Sequence, residues 1–94
     1  MSNIEFAWNK AKATANLKKH GVSFEEAQTV FFDEHARQLP DHPGVEERFV
    51  MLGLSARLRI LVVCHCYRED NQVIRILSAR KATKREKKAY EEAL

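Results

Sequence analysis

Val73-Ile74-Arg75-Ile76-Leu77 runs through Ser78-Ala79 into Arg80-Lys81-Ala82-Thr83-Lys84-Arg85-Glu86-Lys87-Lys88-Ala89-Tyr90, and the two ends of this stretch have different periodicities. An aliphatic, β-branched run as short as Val73 to Leu77 fits a strand in a sheet better than a helix. Thr83-Lys84-Arg85-Glu86 is a capping box, in which the Thr83 hydroxyl accepts from the Glu86 amide and the Glu86 carboxylate reaches back to the Thr83 amide. A helix therefore begins at Lys84, fed by a buried strand. Arg75 is the anomaly of that strand, because a charge in an apolar run is costly unless it has a partner or a task.

The basic helix is charged against its own dipole. Lys84 and Arg85 stand in the first turn and Glu91 and Glu92 in the last, each reversal costing ~0.3–1 kcal/mol at an exposed site. Residues 80 to 88 hold six bases and one acid, a local charge of +5 on a chain whose net charge is +3. Free amides at a helix start beside Arg80, Lys81, Lys84 and Arg85 suit an anion, phosphate above all, and one such patch points to local binding of a polyanion. Plain solvation of a terminal helix face accounts for the same residues without a ligand.

With 94 residues the chain is expected to form one domain over 1–94 around a single core. Its hydrophobic fraction of 45% and charged fraction of 31% belong to a folded chain and not a disordered one. No apolar run reaches the ~18–20 residues of a membrane span, and Met1-Ser2-Asn3-Ile4-Glu5 lacks the regions of a signal peptide. No membrane role and a cytoplasmic location are expected. Cys64 and Cys66 share one side of a strand as reduced, buried thiols. Strand alternation sends His65 to the other side, and no second Cys/His pair exists to complete a metal site, so neither a metal nor another cofactor is expected.

Working back along the chain, Glu5 to Trp8 reads as a short strand and Asn9 as the N-cap of a helix over Lys10 to Lys19. Gly21 is the left-handed residue that ends it, with Val22 packing back on Leu17 in a Schellman motif. His20 at this corner suits the helix C-terminus. Ser23-Phe24-Glu25-Glu26 supplies a second capping box, and Phe24, Ala27, Val30 and Phe31 form the apolar stripe of the next helix. Ala36 to Leu39 is a brief strand. Glu47 to Leu54 alternates, with Phe49 and Met51 on one face and Arg48, Val50 and Leu52 on the other. Arg59 to Tyr67 reads as a central strand, and Glu69 to Gln72 as a turn. The order is β-α-α-β-β-β-β-α, an α+β fold with a small antiparallel sheet, two N-terminal helices and a C-terminal helix.

The motifs of triphosphate binding, GxSxG hydrolases and His-Glu-x-x-His zincins are missing. What remains is a set of Arg, Lys, His and Tyr side chains on a sheet and the helix after it, and such a set can cleave RNA without a metal. The ribose 2′-OH is a nucleophile already present in the substrate; the protein must accept its proton, neutralise the phosphorane-like transition state and protonate the leaving 5′ oxygen. The planar fork of Arg suits the second task. A non-catalytic nucleic-acid-binding module or repressor component is the rival reading of the same patch. Arg48 and Arg75 could also each pair with a Glu of a neighbouring strand, and Tyr90 could be a packing residue with its hydroxyl at the rim.

Trp8-Asn9-x-x-Lys12-x-x-x-Asn16-x-x-Lys19-His20-Gly21-Val22-Ser23-Phe24-Glu25-Glu26-Ala27, Glu46-Glu47-Arg48-Phe49, Leu52-Gly53-Leu54-Ser55 and Ile74-Arg75-Ile76-Leu77-Ser78-Ala79-Arg80-Lys81-Ala82-Thr83 resemble, in order and over nearly the whole chain, the BrnT family of toxins from type II toxin–antitoxin systems. The resemblance implies a compact RelE-like fold and an endoribonuclease that halts translation. It also implies neutralisation by a cognate, DNA-binding antitoxin similar to BrnA, with operator DNA reached only through that antitoxin. Carried over to this chain, it points to Arg48, His65, Arg75, Arg80, Lys81 and Tyr90 as catalytic candidates. Lys84, Arg85 and Lys88 of the patch, together with His20, are the RNA-binding candidates. Leu58 departs from the family pattern, where Gly is frequent between the two strands. The acid and base stay open among His20, His65, Glu69 and Tyr90.

Overall fold

The computed structural model describes residues 4–41 and 47–94. Its elements are β1 (Glu5–Ala7), α1 (Lys10–His20), α2 (Phe24–Thr29) running into one 3₁₀ turn at Val30–Phe32, β2 (Arg37–Pro40), β3 (Phe49–Leu54), β4 (Ile60–Arg68), β5 (Val73–Lys81) and α3 (Lys84–Glu92). The expected α+β order holds. The sheet runs β1-β5-β4-β3-β2, antiparallel throughout except that β1 joins the edge of β5 in parallel. Helices cover both faces. Val22, Phe24, Ala27 and Val30 pack on Leu61, Val63, Ile76 and Ala79 on one side. On the other, Tyr90 and Ala82 pack on Leu52 and Val62, with Val50, Leu54 and Ile60 around them. Phe49 and Met51 face the first core and Val50 and Leu52 the second, as alternation requires.

Local chemistry sets the corners. Asn9 caps α1 by accepting from the Lys12 amide at 3.0 Å. Gly21 closes it at φ 68°, donating to the Leu17 carbonyl. That single bond makes the simpler left-handed cap in place of the expected Schellman motif. Leu17 stays half exposed while Val22 is fully buried in the core. At α2 the capping box is only half formed: Ser23 accepts from the Glu26 amide, but the Glu26 carboxylate is drawn away to Arg59. Arg59 grips both carboxylate oxygens and reaches the Gly21 carbonyl at 3.1 Å. Ser55 donates to the same carboxylate at 2.7 Å. A buried carboxylate is tolerated only when paired and hydrogen-bonded in this way; the Arg59 bond outweighs burial and holds Glu26 below the usual carboxylate range. Gly53 sits where β3 passes under the 3₁₀ turn, and a Cβ there would stand 3.0 Å from the Ala36 Cβ and 3.3 Å from the Val30 Cβ.

The strand β5 is longer than its aliphatic run, because it continues across a bulge. His65 of β4 pairs with Ile76 and Cys64 with Ser78, so Leu77 is an extra residue in the ladder. The consequence is a change of parity. Ile74 and Ile76 face the first core, and after the bulge Ala79 faces it too. Arg75, opposite Cys66, and Arg80, opposite Val62, are thereby brought to the same side of the sheet, although odd and even positions of a regular strand point oppositely.

Beyond the bulge β5 has outrun β1, which pairs only with Val73 to Arg75. Asn16 of α1 takes the place of a neighbouring strand: its side chain accepts from the Ala79 amide at 3.0 Å and donates to the Ala79 and Val22 carbonyls, each at 2.9 Å. Buried backbone groups left without partners cost roughly 1–3 kcal/mol each. Asn16→Ala is therefore expected to lower the unfolding free energy by about 3 kcal/mol, read as a shift in the urea midpoint with an unchanged slope.

Candidate functional site

On the α3 side of the sheet, the part of the face that α3 leaves open forms a cleft of about 170 Å³. Its floor is Val50 and Val62, and its walls carry His20, Asp41, Arg48, Cys64, Ser78 and Arg80. Five separate parts of the chain meet here: the last residue of α1, the residue after β2, the start of β3, the middle of β4 and the far end of β5 past the bulge. The Asn16 clamp holds α1 against β5 at Ala79, next to Arg80. That contact puts His20 on the cleft.

Each arginine is steadied by a carboxylate. Arg48 Nη2 lies 3.3 Å from Asp41 Oδ2 and donates to the Cys64 sulfur at 3.6 Å. Arg80 is held by a fork, Nη1 to Glu86 Oε1 at 2.8 Å and Nη2 to Oε2 at 3.0 Å. Glu86 is also the acid of the α3 capping box, accepting from the Thr83 amide at 2.8 Å. The Arg80 fork, with the Thr83 amide, pulls its carboxyl down to about 2 against the opposing effect of burial. A guanidinium fixed on one side by a carboxylate keeps its remaining N–H donors in a set geometry, which suits bidentate recognition of a phosphate. Of the expected residues, the cleft thus gathers Arg48, Arg80 and His20.

The others stand elsewhere. Arg75 shares the cleft's face, half-buried opposite Cys66 and beside Ala7, but does not line it. Lys81 opens onto a second cleft. Lys84, Arg85 and Lys88 are exposed on α3. His65 is a correction: it is fully buried on the opposite face, edge-on to Phe31 at 4.8 Å. Its ring nitrogens lie 3.0 Å from the Val63 carbonyl and 3.0 Å from the Gln38 side-chain amide. Burial depresses its pKa, with the Val63 bond opposing, so it is a neutral core histidine. Tyr90 is the second correction. It is 4% exposed, and its hydroxyl donates to Asp33, so α3 is tied to the 3₁₀ turn. Burial and then the Asp33 carboxylate push its pKa up to about 12, far from a group that exchanges protons near neutrality. Asp33 itself is pushed up by burial but held below its usual value by the Leu54 amide, Tyr90 and the His35 amide.

Sequence reasoning missed Asp41 and Glu86 as the acids that hold the two arginines, and Cys64 and Ser78 as cleft walls. For Glu86 the signal was present, since an acid inside a basic run already assigned to a cap lies within reach of Arg80. Among the described residues, no three His, Cys, Asp or Glu side chains gather into a group that could hold a metal ion.

A family model described as "Ribonuclease toxin, BrnT, of type II toxin-antitoxin system" matches residues 8–86. The chain is similar in structure to the ribonuclease toxin BrnT of Brucella abortus, whose crystal structure is known at 1.1 Å resolution. The likeness has a TM-score of 0.69 at 20% identity and covers 86% of this chain and 99% of that one, a similarity of fold. No curated protein matches the chain by sequence. The class is thus a ribonuclease toxin of a type II toxin–antitoxin system, for which RNA is the substrate and an antitoxin the partner. The chain belongs to the BrnT family. Among the described residues, no helix is long and apolar enough to cross a membrane.

The Arg80 fork makes a pH signature. Glu86 has a folded pKa of about 2 against an ordinary 4.5, so its contribution to stability is fully present above the ordinary value and is lost as pH falls through the folded one. Unfolding free energy is expected to fall between these two values, and Glu86→Gln to flatten that part of the profile in urea titrations at stepped pH.

Proposed function

We propose that this chain is a metal-independent endoribonuclease, acting in the cytoplasm as a single domain, that cuts RNA in the cleft between His20, Arg48 and Arg80. In this reading the 2′-OH attacks the adjacent phosphorus, the P–O5′ bond breaks, and the products carry a 2′,3′-cyclic phosphate and a 5′-OH. Arg48 and Arg80 bind the phosphate oxygens and stabilise the charge that builds on them in the transition state. His20, whose imidazole lines the cleft beside the two arginines, is the proton-transfer group. Arg75, farther along the same face, and Lys84, Arg85 and Lys88 on α3 bind flanking phosphates. Cleavage of translated RNA halts protein synthesis. A DNA-binding antitoxin of the BrnA kind neutralises the activity and alone carries the pair to operator DNA.

The observation that carries this reading is the convergence of two carboxylate-steadied arginines and a histidine on one small cleft. Among the described residues, Asp41 on the cleft faces Arg48, and Glu86 beside it faces Arg80.

Purified protein incubated with RNA in EDTA is expected to release fragments ending in 2′,3′-cyclic phosphate. A mobility shift without cleavage would instead make the chain a binder. Arg48→Ala and Arg80→Ala are each expected to lower the cleavage rate roughly 100-fold or more. His20→Ala should lower it while removing a pH-dependent limb of the rate profile, with far-ultraviolet circular dichroism unchanged. Replacing Lys84, Arg85 and Lys88 by Ala should leave single-turnover cleavage at saturation near wild type. It should reduce the log–log salt slope of RNA binding by roughly 0.7 for each phosphate no longer neutralised.

A further inference from the structure

Arg80 and Lys81 are neighbours in β5 but open onto different clefts. The second cleft, of about 290 Å³, lies where β4 begins and β5 leaves for α3, and is lined by Leu58, Arg59, Ile60, Lys81 and Lys87. The charge of Arg59 is already taken up by Glu26 and the Gly21 carbonyl. Lys81 and Lys87 are exposed, and neither enters an ion pair among the described residues.

Leu58 is out of keeping with its surroundings. It is 79% exposed at φ 62°, in a hairpin loop closed by its own amide on the Ser55 carbonyl at 2.9 Å and the Ser55 amide on the Arg59 carbonyl at 2.8 Å. A left-handed residue in such a loop is ordinarily Gly, and a γ-branched aliphatic there is sterically unfavourable. In the free chain its side chain gains little burial in return. A strained, exposed apolar residue flanked by cations that pair with no carboxylate among the described residues has the form of a contact surface whose other half is absent.

We propose that this cleft docks an acidic segment of the antitoxin, one of whose aliphatic side chains seats on Leu58 and Ile60 while its carboxylates face Lys81 and Lys87. The inference rests on the toxin reading above. Charge complementarity selects an acidic occupant. The aliphatic floor selects protein over RNA, because the cleft offers no aromatic ring on which a base would stack. Since Lys81 follows Arg80 directly, a segment anchored here ends beside the first cleft, and an inhibitor held in this way needs few contacts of its own with the catalytic arginines.

The test is the Kd of the purified antitoxin from the same toxin–antitoxin system for wild type, Leu58→Gly and Lys87→Glu, with melting temperature and RNA cleavage measured alongside. Leu58→Gly relieves the left-handed strain, so its melting temperature should hold or rise and its RNA cleavage should stay at the wild-type rate, while the Kd rises about tenfold or more. Lys87→Glu should raise the Kd by a similar factor, most strongly at low ionic strength. Wild-type affinity in both variants overturns the docking site. Weakened RNA binding with unchanged antitoxin affinity would give the cleft to RNA and overturn it equally. Wild-type protein that cleaves no RNA fails the functional reading instead, and the antitoxin measurement still decides the docking.

Discussion

The arrangement of this molecule depends on the three hydrogen bonds of Asn16 with Ala79 and Val22. They join the second turn of α1 to β5 at the point where the sheet has no further strand to offer, and they do so with one amide side chain that both donates and accepts. No other residue type of that length can satisfy an N–H and a C=O together. Because α1 ends four residues later at His20, the clamp sets the register of the first helix against the last strand. The histidine is thereby placed relative to Arg80.

The two cleft arginines are organised by a second, repeated device. Each guanidinium is held by a carboxylate brought from a different element, Asp41 from the segment after β2 and Glu86 from α3. Exposed ion pairs contribute little to stability, and these are half exposed, so their value lies in positioning. Glu86 serves two elements at once, since the carboxylate that orders Arg80 also closes the first turn of α3. The order of the helix start and that of the cleft are coupled through one side chain.

Most of the element order was legible because its determinants are local. Asn9, Gly21, Ser23 and Thr83 mark helix ends by their own chemistry, and the alternation of β3 sorts Phe49 and Met51 from Val50 and Leu52 without knowledge of the partner strands. Legibility failed where the deciding partner is distant in sequence. Ser23-Glu26 and Thr83-Glu86 are the same pattern, yet only the second closes as a box, because Arg59 competes for Glu26 and nothing local announces it. His65 and Tyr90 are chemically competent residues whose roles are fixed by Phe31, Gln38 and Asp33 across the fold. The bulge left a faint trace: after Ile74 and Ile76 the next inward position of a regular strand would be Ser78, a polar residue, whereas Ala79 is the one that faces the core.

That bulge gives β5 one residue to spare in length. Loss of the single codon for Leu77 would change no side chain at either end of the strand. It would set Ser78 directly after Ile76 in a regular ladder, so that Ala79 keeps facing the apolar layer beneath α1 and α2 and Arg80 keeps to the other side. Taking Leu77 into register without that loss would instead exchange the two faces for every residue that follows, so parity depends on residue count and bulge together. Among divergent relatives of the fold, a spacing from Arg75 to Arg80 one residue shorter is expected wherever the strand is regular, and the present spacing wherever the bulge is kept.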